Sequence, residues 1–576
     1  MKEKTLTGAQ LLVKCLEKNG VKMAFGIPGA KIDAVFDALV GSSIRLILCR
    51  HEQNAAFMAA AHGRMTGEPG VVIVTSGPGV ANLVTGLLTA TTEGDPVVAI
   101  GGCVPRNMLL KSTHQNADNV HIMSGVTKSS ILVTSEDNIP EAIENSFRIA
   151  CEPRRGACFI TVPQDVLTNK TEETPLRKFR EIEFGPASDR EITRAAEIVN
   201  KSACPVLFLG EEASVPKNAK AVRSLLKKHP IPVIATYQGA GCVTRELVDR
   251  FVGRVGLFRN QPGDKLLDMA DAVVTVGFNE AEYDPEAWNA ARKKKIVHID
   301  YKPSRVHSCY EPAVDVVGDI DRNIARLSGA LKVSLSPSAK DAVKRLQAVT
   351  MKFFNYDPSS PQSAAKMFGD ADAEFARFIP SSYKKNRIHP MQFIHAFRSM
   401  VTDDDIIACD IGTVYMWMAR CFVFYRPRHL LFSNGQQTLG VALPWAIAAK
   451  LAFPKRRVFS ISGDGGFLFS SMELETAVRE KTPVIHIIWS DGTYNMVAEQ
   501  QKMKYQRTSG VDLGRIDVES YARSFGAKGY RLKTISDLDP VIRKALRNSV
   551  PSLIDIPIDY SQNKEMFISA RDARIQ

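Results

Sequence analysis

Short apolar runs separated by helical patterns recur along the chain, and such alternation calls for parallel sheets covered by helices on both faces. Within residues 21–170 the runs fall at 44–49, 71–75, 96–100 and 157–162. A second unit, starting at Ile192, has them at 205–209, 232–236, 272–276 and 295–300. A third, from His389 to about Tyr560, has them at 406–409, 430–432, 457–460, 484–489 and 552–556. A length of 576 residues with 45% apolar content supplies several cores rather than one. The expectation is an α/β protein of three doubly wound parallel-sheet domains, at 1–170, 191–333 and 389–576. The polar stretch 171–190 reads as a linker. Residues 334–388, broken at 336–338, 357–363 and 381–385, read as a long interdomain crossing over the surface.

Bulk properties exclude several function classes. The ten cysteines are scattered with no pair at metal-ligand or redox spacing, so they read as small buried hydrophobes. The net charge of +12 comes from basic residues interleaved with Asp and Glu, not from a stripe that would track nucleic acid. The first residues lead into an amphipathic stretch without an apolar signal core, and no uncharged run reaches membrane-spanning length. A cytoplasmic protein with neither membrane nor nucleic-acid partner is expected.

Three clusters carry chemistry. The run 457–462 leads into Gly463-Asp464-Gly465-Gly466, and a helix over 467–481 begins there. Amides at that helix start would face an anion, and glycines allow close backbone approach. Asp491 follows the next strand, so both carboxylates reach one crevice at adjacent strand ends. An octahedral magnesium site would use Asp464, Asp491, a loop carbonyl, phosphate oxygens and water. Far upstream, Glu52 heads a helix of small residues, Ala55-Ala56-Phe57-Met58-Ala59-Ala60-Ala61. Thr75-Ser76-Gly77-Pro78-Gly79-Val80-Ala81-Asn82 is a strand-to-helix turn. Taken singly, these are a common turn, a glutamate favoured by a helix dipole, and ordinary architecture.

Taken together, they resemble the thiamine diphosphate enzymes, whose domains are pyrimidine-binding, central and diphosphate-binding. The resemblance implies that Asp464 and Asp491 hold Mg2+ with the backbone carbonyl of Thr493, although Asp491-Gly492 stands where that family has Asn-Asn or Asp-Asn. It implies that Glu52 bonds the aminopyrimidine and drives proton removal from the thiazolium carbon, and that Thr75, Pro78 and Asn82 contact the pyrimidine. Asp410-Ile411-Gly412-Thr413-Val414 matches the other diphosphate loop, through Gly412 and Thr413. Asn434-Gly435-Gln436-Gln437-Thr438-Leu439-Gly440 matches the segment that wedges between the coenzyme's rings, with Leu439 as the wedge and Gln437 beside it. Gly465, Gly466 and Tyr494 complete the implied cofactor contacts.

Nearly the entire chain resembles acetolactate synthases of the catabolic, flavin-independent type. The matching segments include Phe25-Gly26-Ile27-Pro28-Gly29-Ala30-Lys31-Ile32-Asp33 and residues 50–67, 434–446, 471–478 and 494–507, with 232–241 and 253–258. Flavin-binding relatives carry Gly-Ala-Arg-Phe-Asp-Asp-Arg where this chain has Gly277-Phe278-Asn279-Glu280-Ala281-Glu282-Tyr283, so FAD is expected to be absent. The resemblance further implies a catalytic side-pocket glutamine at Gln115 beside His114. It places Gly29, Ala30 and Lys31 near substrate, and Met496, Val497 and Gln500 on one face of an acceptor pocket. Glu499 departs from the apolar residue expected there. The implied reaction converts two pyruvates into 2-acetolactate and CO2 through the coenzyme's ylide and enamine. Glu52 and Asp464 of one site would come from different subunits of a homodimer or homotetramer. A 2-oxo acid decarboxylase or other carboligase on the same scaffold, and a non-catalytic binding or regulatory subunit, remain as alternatives.

Overall fold

The structure, a computed structural model, describes residues 5–178, 183–257, 259–357, 377, 379–380 and 382–568. The described residues form three six-stranded sheets, each wholly parallel. Across the first, the strands run Arg45–Leu48, Met23–Ile27, Gly70–Val74, Val97–Cys103, Ala157–Pro163 and Ser129–Leu132. Its three central apolar strands, Gly70–Val74, Val97–Cys103 and Ala157–Pro163, are buried throughout. The second runs Phe251–Arg254, Val233–Ala235, Pro205–Leu209, Ala272–Val276, Lys295–Asp300 and Val314–Val317. The third runs Leu430–Leu431, Ile406–Cys409, Val458–Gly463, Ile485–Ser490, Ser552–Pro557 and Lys528–Arg531. In each sheet the chain order reverses inside the sheet, between Met23–Ile27 and Gly70–Val74, between Pro205–Leu209 and Ala272–Val276, and between Ile406–Cys409 and Val458–Gly463; the first and third sheets reverse again at their far edges, where Ser129–Leu132 and Lys528–Arg531 are outermost. Connections diverge to opposite faces at such a point, leaving a crevice at the strands' carboxyl ends.

Two local expectations change. The helix expected over 467–481 is two helices, Asp464–Leu468 and Glu473–Arg479, because the buried Ser470 and Ser471 turn the chain between them. The irregular crossing 334–388 contains the 18-residue helix Pro337–Phe354, capped by Ser336, whose Val343, Leu346, Val349 and Phe353 are buried. The break at 357–363 lies outside the described residues except for Asp357, as do 179–182 of the linker and Phe258 of the matched segment; of the break at 381–385, residues 382–385 are described and form neither helix nor strand. The start of the linker is tied down where Lys170–Thr171 pairs antiparallel with Leu6–Thr7.

The first and third domains share a core. Helix Glu52–Thr66 packs along helix Ala442–Ala452, and the buried Ala55, Ala56, Ala59, Ala60, Ala446, Ala448 and Ala449 belong to one cluster. Alanine stripes let two helix axes approach closely. Arg64 anchors the far end of this contact: it bonds both oxygens of Asp95 at 2.8 Å, donates to the Phe432 carbonyl at 2.8 Å and lies 4.5 Å from the Trp445 ring. A buried guanidinium needs this many acceptors.

Candidate active site

The crevice of the first sheet gathers one group of the sequence-assigned residues. The loop after Met23–Ile27 brings Gly29 so close to Thr75 that a Cβ there would lie 2.6 Å from the Thr75 side chain. The Lys31 amide donates to Thr75 Oγ1 at 3.4 Å. Gly77, at φ +63°, lets the turn pass Gln115, whose carbonyl accepts from Ser76 Oγ at 2.9 Å; Gln115 itself is left-handed at φ +59°. Glu52 begins its helix after His51, whose ring caps the Gln53 amide at 3.1 Å. The Asn82 amide group donates to Glu52 Oε2 at 2.9 Å, and Gly79 lies against Oε1. Glu52 is half-buried, whereas Pro78, Asn82, Ala30 and His114 are exposed. The cluster is therefore open on one side.

The crevice of the third sheet gathers the other group. Strand Val458–Gly463 delivers Asp464 as the first residue of a helix. A Cβ on Gly465 would meet the Tyr494 ring at 2.5 Å, and one on Gly466 the Asp410 carboxyl at 3.1 Å, so this turn admits only glycine without displacement. Asp464 Oδ1 accepts from the Gly465 amide at 2.9 Å and Oδ2 from Gly492 at 2.7 Å. Asp491 accepts from Thr493 Oγ1 at 2.8 Å and Asn495 Nδ2 at 2.9 Å. Burial and the neighbouring Asp491 push the Asp464 carboxyl up to about 6, and burial raises that of Asp491. Among the described residues neither forms an ion pair. Two adjacent, partly desolvated carboxylates outside any ion pair, with Arg387 acting on Asp491 only at a distance, suit a divalent ion. No three His, Cys, Asp or Glu side chains converge among the described residues, which fits magnesium completed by phosphate oxygens better than an all-protein cage.

Opposite Asp464, Gly412 at φ +109° precedes helix Thr413–Cys421 and faces open space. Two helix starts thus flank the crevice, an arrangement suited to a diphosphate. Asp410, buried and pushed up to about 6 by desolvation, binds the Gly440 and Ala442 amides at 2.9 and 3.2 Å. It ties the segment carrying the half-buried Gln437 and Leu439 to the loop of Gly412. Met496 is half-buried against the core, Gln500 is half-buried and Val497 is 44% exposed, so the three do not share one environment within the chain. Glu499 pairs with Lys502 at 2.8 Å, which compensates its charge.

Several residues escaped the sequence reading. Glu473, fully buried, accepts from the Arg50 and His51 amides at 2.9 and 3.1 Å and from Asn54 at 3.2 Å, setting the entry to the Glu52 helix. Glu93, also fully buried, binds the Gly435 amide at 2.7 Å and Ser433 at 3.2 Å. Their partners lie hundreds of residues away, and no short motif signals them. No described hydrogen bond or ion pair joins Glu52, Thr75, Asn82 or Gln115 to Asp464, Asp491 or Gly412.

Comparison with known proteins agrees with this division. Residues 6–122 match the thiamine pyrophosphate enzyme N-terminal TPP binding domain, 192–327 the central domain and 410–556 the C-terminal TPP binding domain. The chain is 47% identical over 557 residues to an acetolactate synthase of Bacillus subtilis, covering 96% of this chain and 94% of the relative. It is 42% identical over 558 residues to the catabolic acetolactate synthase of Raoultella terrigena, covering 96% of each, and 30% identical over 564 residues to the large subunit of acetolactate synthase isozyme 1 of Escherichia coli, covering 96% and 94%. Identity sustained across all three domains means that the chain belongs to the acetolactate synthase family of thiamine diphosphate enzymes.

Proposed function

We propose that this protein condenses two molecules of pyruvate to 2-acetolactate with release of CO2, using thiamine diphosphate and Mg2+. The observation that carries the reading is the pair of half-buried carboxylates, Asp464 and Asp491, neither in an ion pair among the described residues, beside two helix starts at the third sheet's crevice. When bound, thiamine diphosphate supplies a carbon nucleophile and an electron sink for 2-oxo acid decarboxylation. Asp464, Asp491 and the Thr493 carbonyl hold the cation, while amides around Gly412, Thr413, Gly465 and Gly466 receive the diphosphate, with Tyr494 packed against the turn. Leu439 and Gln437 would pack against the coenzyme. Thr75, Pro78 and Asn82 bound the pyrimidine side. Glu52, oriented by Asn82, would move the proton at the aminopyrimidine. Gln115 and His114, with Gly29, Ala30 and Lys31, border the substrate on the same side; Met496, Val497 and Gln500 border the acceptor. Exclusion of water and stray protons from the reacting carbon would prevent the release of acetaldehyde.

One site takes its pyrimidine half from one copy and its diphosphate half from another. Each half has an open face: Glu52 with the exposed Pro78 and Asn82 on one, and Leu468, Phe469 and Val497, 41%, 46% and 44% exposed, on the other. A homodimer is the smallest working unit, and a homotetramer pairs two of them. FAD has no place in the central domain. Its crevice is filled by Glu282, which binds the Glu211 and Asn279 amides at 3.0 and 3.1 Å, and burial raises the carboxyls of Glu211, Glu282 and Asp300. Arg154, which pairs with Asp300 at 3.8 Å, is engaged by these carboxyls and is not left for a dinucleotide diphosphate. No helix among the described residues is long and apolar enough to cross a membrane, and ten free thiols suit a reducing compartment such as the cytoplasm. The domain limits are 1–170, 191–333 and 389–576.

Pyruvate consumption with thiamine diphosphate and Mg2+ but no flavin tests the reading, with acetolactate resolved from acetaldehyde. Acetolactate that disappears in Glu52→Gln is expected. Acetaldehyde as the main product would make the protein a decarboxylase, and no turnover would make it a binding subunit.

A further inference from the structure

Beyond the last strand of the third sheet, the chain returns to the diphosphate crevice. Asn563 opens the short helix Asn563–Ile568 and is fully buried, as is Met566, whose carbonyl receives Asn260 of the central domain at 3.4 Å. Both ends of the Asn563 amide are engaged. Oδ1 accepts from Trp417 Nε1 at 2.8 Å, and Nδ2 donates to Asn495 Oδ1 at 2.7 Å. Asn495 Oδ1 also accepts from Thr413 Oγ1 at 3.1 Å, while its Nδ2 donates to Asp491 Oδ2 at 2.9 Å.

The chemistry of the partners fixes the polarity of this chain of bonds. An indole nitrogen only donates, so the oxygen of Asn563 must face Trp417 and its nitrogen must face Asn495. Asn495 must then present its oxygen to Asn563 and Thr413, which leaves its nitrogen for Asp491. Asp491 Oδ2 thereby receives two donors, Asn495 and Thr493 Oγ1, whereas Oδ1 has only a long 3.3 Å contact with the Thr493 amide. One carboxylate oxygen is held and the other is left for a cation.

We propose that Asn563 is a positioning residue of the cofactor site: acting through Asn495, it orients Asp491 and Thr413 together, so that docking of the C-terminal segment and formation of the cation site are one event. This rests on the reading that Asp491 holds a divalent cation. Groups that orient metal ligands change metal affinity by about 10–100-fold when removed.

Asn563→Asp tests it without a change of shape. The new carboxylate still accepts from Trp417 but presents an oxygen to Asn495, whose amide must turn and face Asp491 with its own oxygen. Mg2+ is titrated into the full-length apoprotein at saturating thiamine diphosphate, with tryptophan fluorescence as readout, for the wild type, Asn563→Asp, Asn563→Ala and Asn495→Ala. The expected result is a Kd for Mg2+ weakened by about tenfold in both Asn563 variants. The loss of Mg2+ affinity should not grow when Asn563→Ala is combined with Asn495→Ala. Unchanged Mg2+ affinity in Asn563→Ala, or losses that multiply in the double variant, would overturn the proposal. A wild type that binds no Mg2+ would instead overturn the cation reading beneath it. Asn563→Ala, which adds no charge, serves if Asn563→Asp does not fold.

Discussion

Glu473 belongs to the third domain yet holds the residues that lead into the Glu52 helix, separated from Arg50 by 423 positions. Replacing it with alanine strands the Arg50 and His51 amides and one donor of Asn54, and frees the Thr476 hydroxyl that it accepts at 2.6 Å. Two stranded amides at about 1–3 kcal/mol each make local opening easier by roughly 3 kcal/mol. Relief of the carboxylate's own desolvation, evident in its raised pKa, offsets about 1 kcal/mol of that. The remaining 2 kcal/mol or so corresponds to about a 30-fold rise in hydrogen exchange. Exchange measured on peptides covering residues 45–55 should show that rise in Glu473→Ala, and acetolactate formation should fall as Glu52 loses its fixed position. Glu473→Gln keeps an acceptor oxygen for both amides and should change exchange by less than about fivefold. Wild-type protection at Arg50 and His51 in the alanine variant, or equal loss in the glutamine variant, would refute the reasoning.

Three other outcomes follow from the geometry. His486 is buried between the Ser460 and Ser462 hydroxyls, and burial lowers its pKa to about 3. The unfolded chain therefore binds the proton first: the contribution of this residue is complete above about pH 6.5 and is lost toward pH 3 at about 1.4 kcal/mol per pH unit. In urea unfolding the stability gap between wild type and His486→Gln should shrink with that slope below pH 6.5, and a constant gap would contradict it. Gly466→Val drives carbon against the Asp410 carboxyl, which a Cβ already meets at 3.1 Å; a loss of about 1–3 kcal/mol in thermal unfolding and weaker thiamine diphosphate binding are expected. Leu468→Asp, at a 41% exposed side chain that ends helix Asp464–Leu468, tests the proposed homodimer: sedimentation should shift toward monomer and turnover should fall in parallel.

The three-sheet architecture was legible because a strand covered on both faces has no polar side to show. Gly70–Val74, Val97–Cys103 and Ala157–Pro163 are buried end to end and read as unbroken apolar runs. The strands missed are of another kind. Ser129–Leu132, Phe251–Arg254, Val314–Val317 and Lys528–Arg531 are four-residue strands broken by Ser, Gly, Asp, Lys or Arg, and Met23–Ile27 is interrupted by Gly26, which the neighbouring Ile73 carbonyl requires to be small. The candidate loops were legible for a related reason: Gly-Asp-Gly and Gly-Pro-Gly are local solutions to sharp turns at strand ends, and local geometry leaves a local imprint. By itself, then, the sequence determined the elements buried on both faces, the turns that end them and the carboxylates those turns carry. Only the tertiary structure decided which polar groups meet: Glu473 with the Arg50 and His51 amides, Glu282 with Glu211, Asn563 with Asn495 and so with Asp491. Burial of an apolar side chain is satisfied by any apolar neighbour and shows in a pattern, whereas a buried hydrogen-bonding group needs one partner at one distance, and residues hundreds of positions apart acquire that distance only when the domains pack.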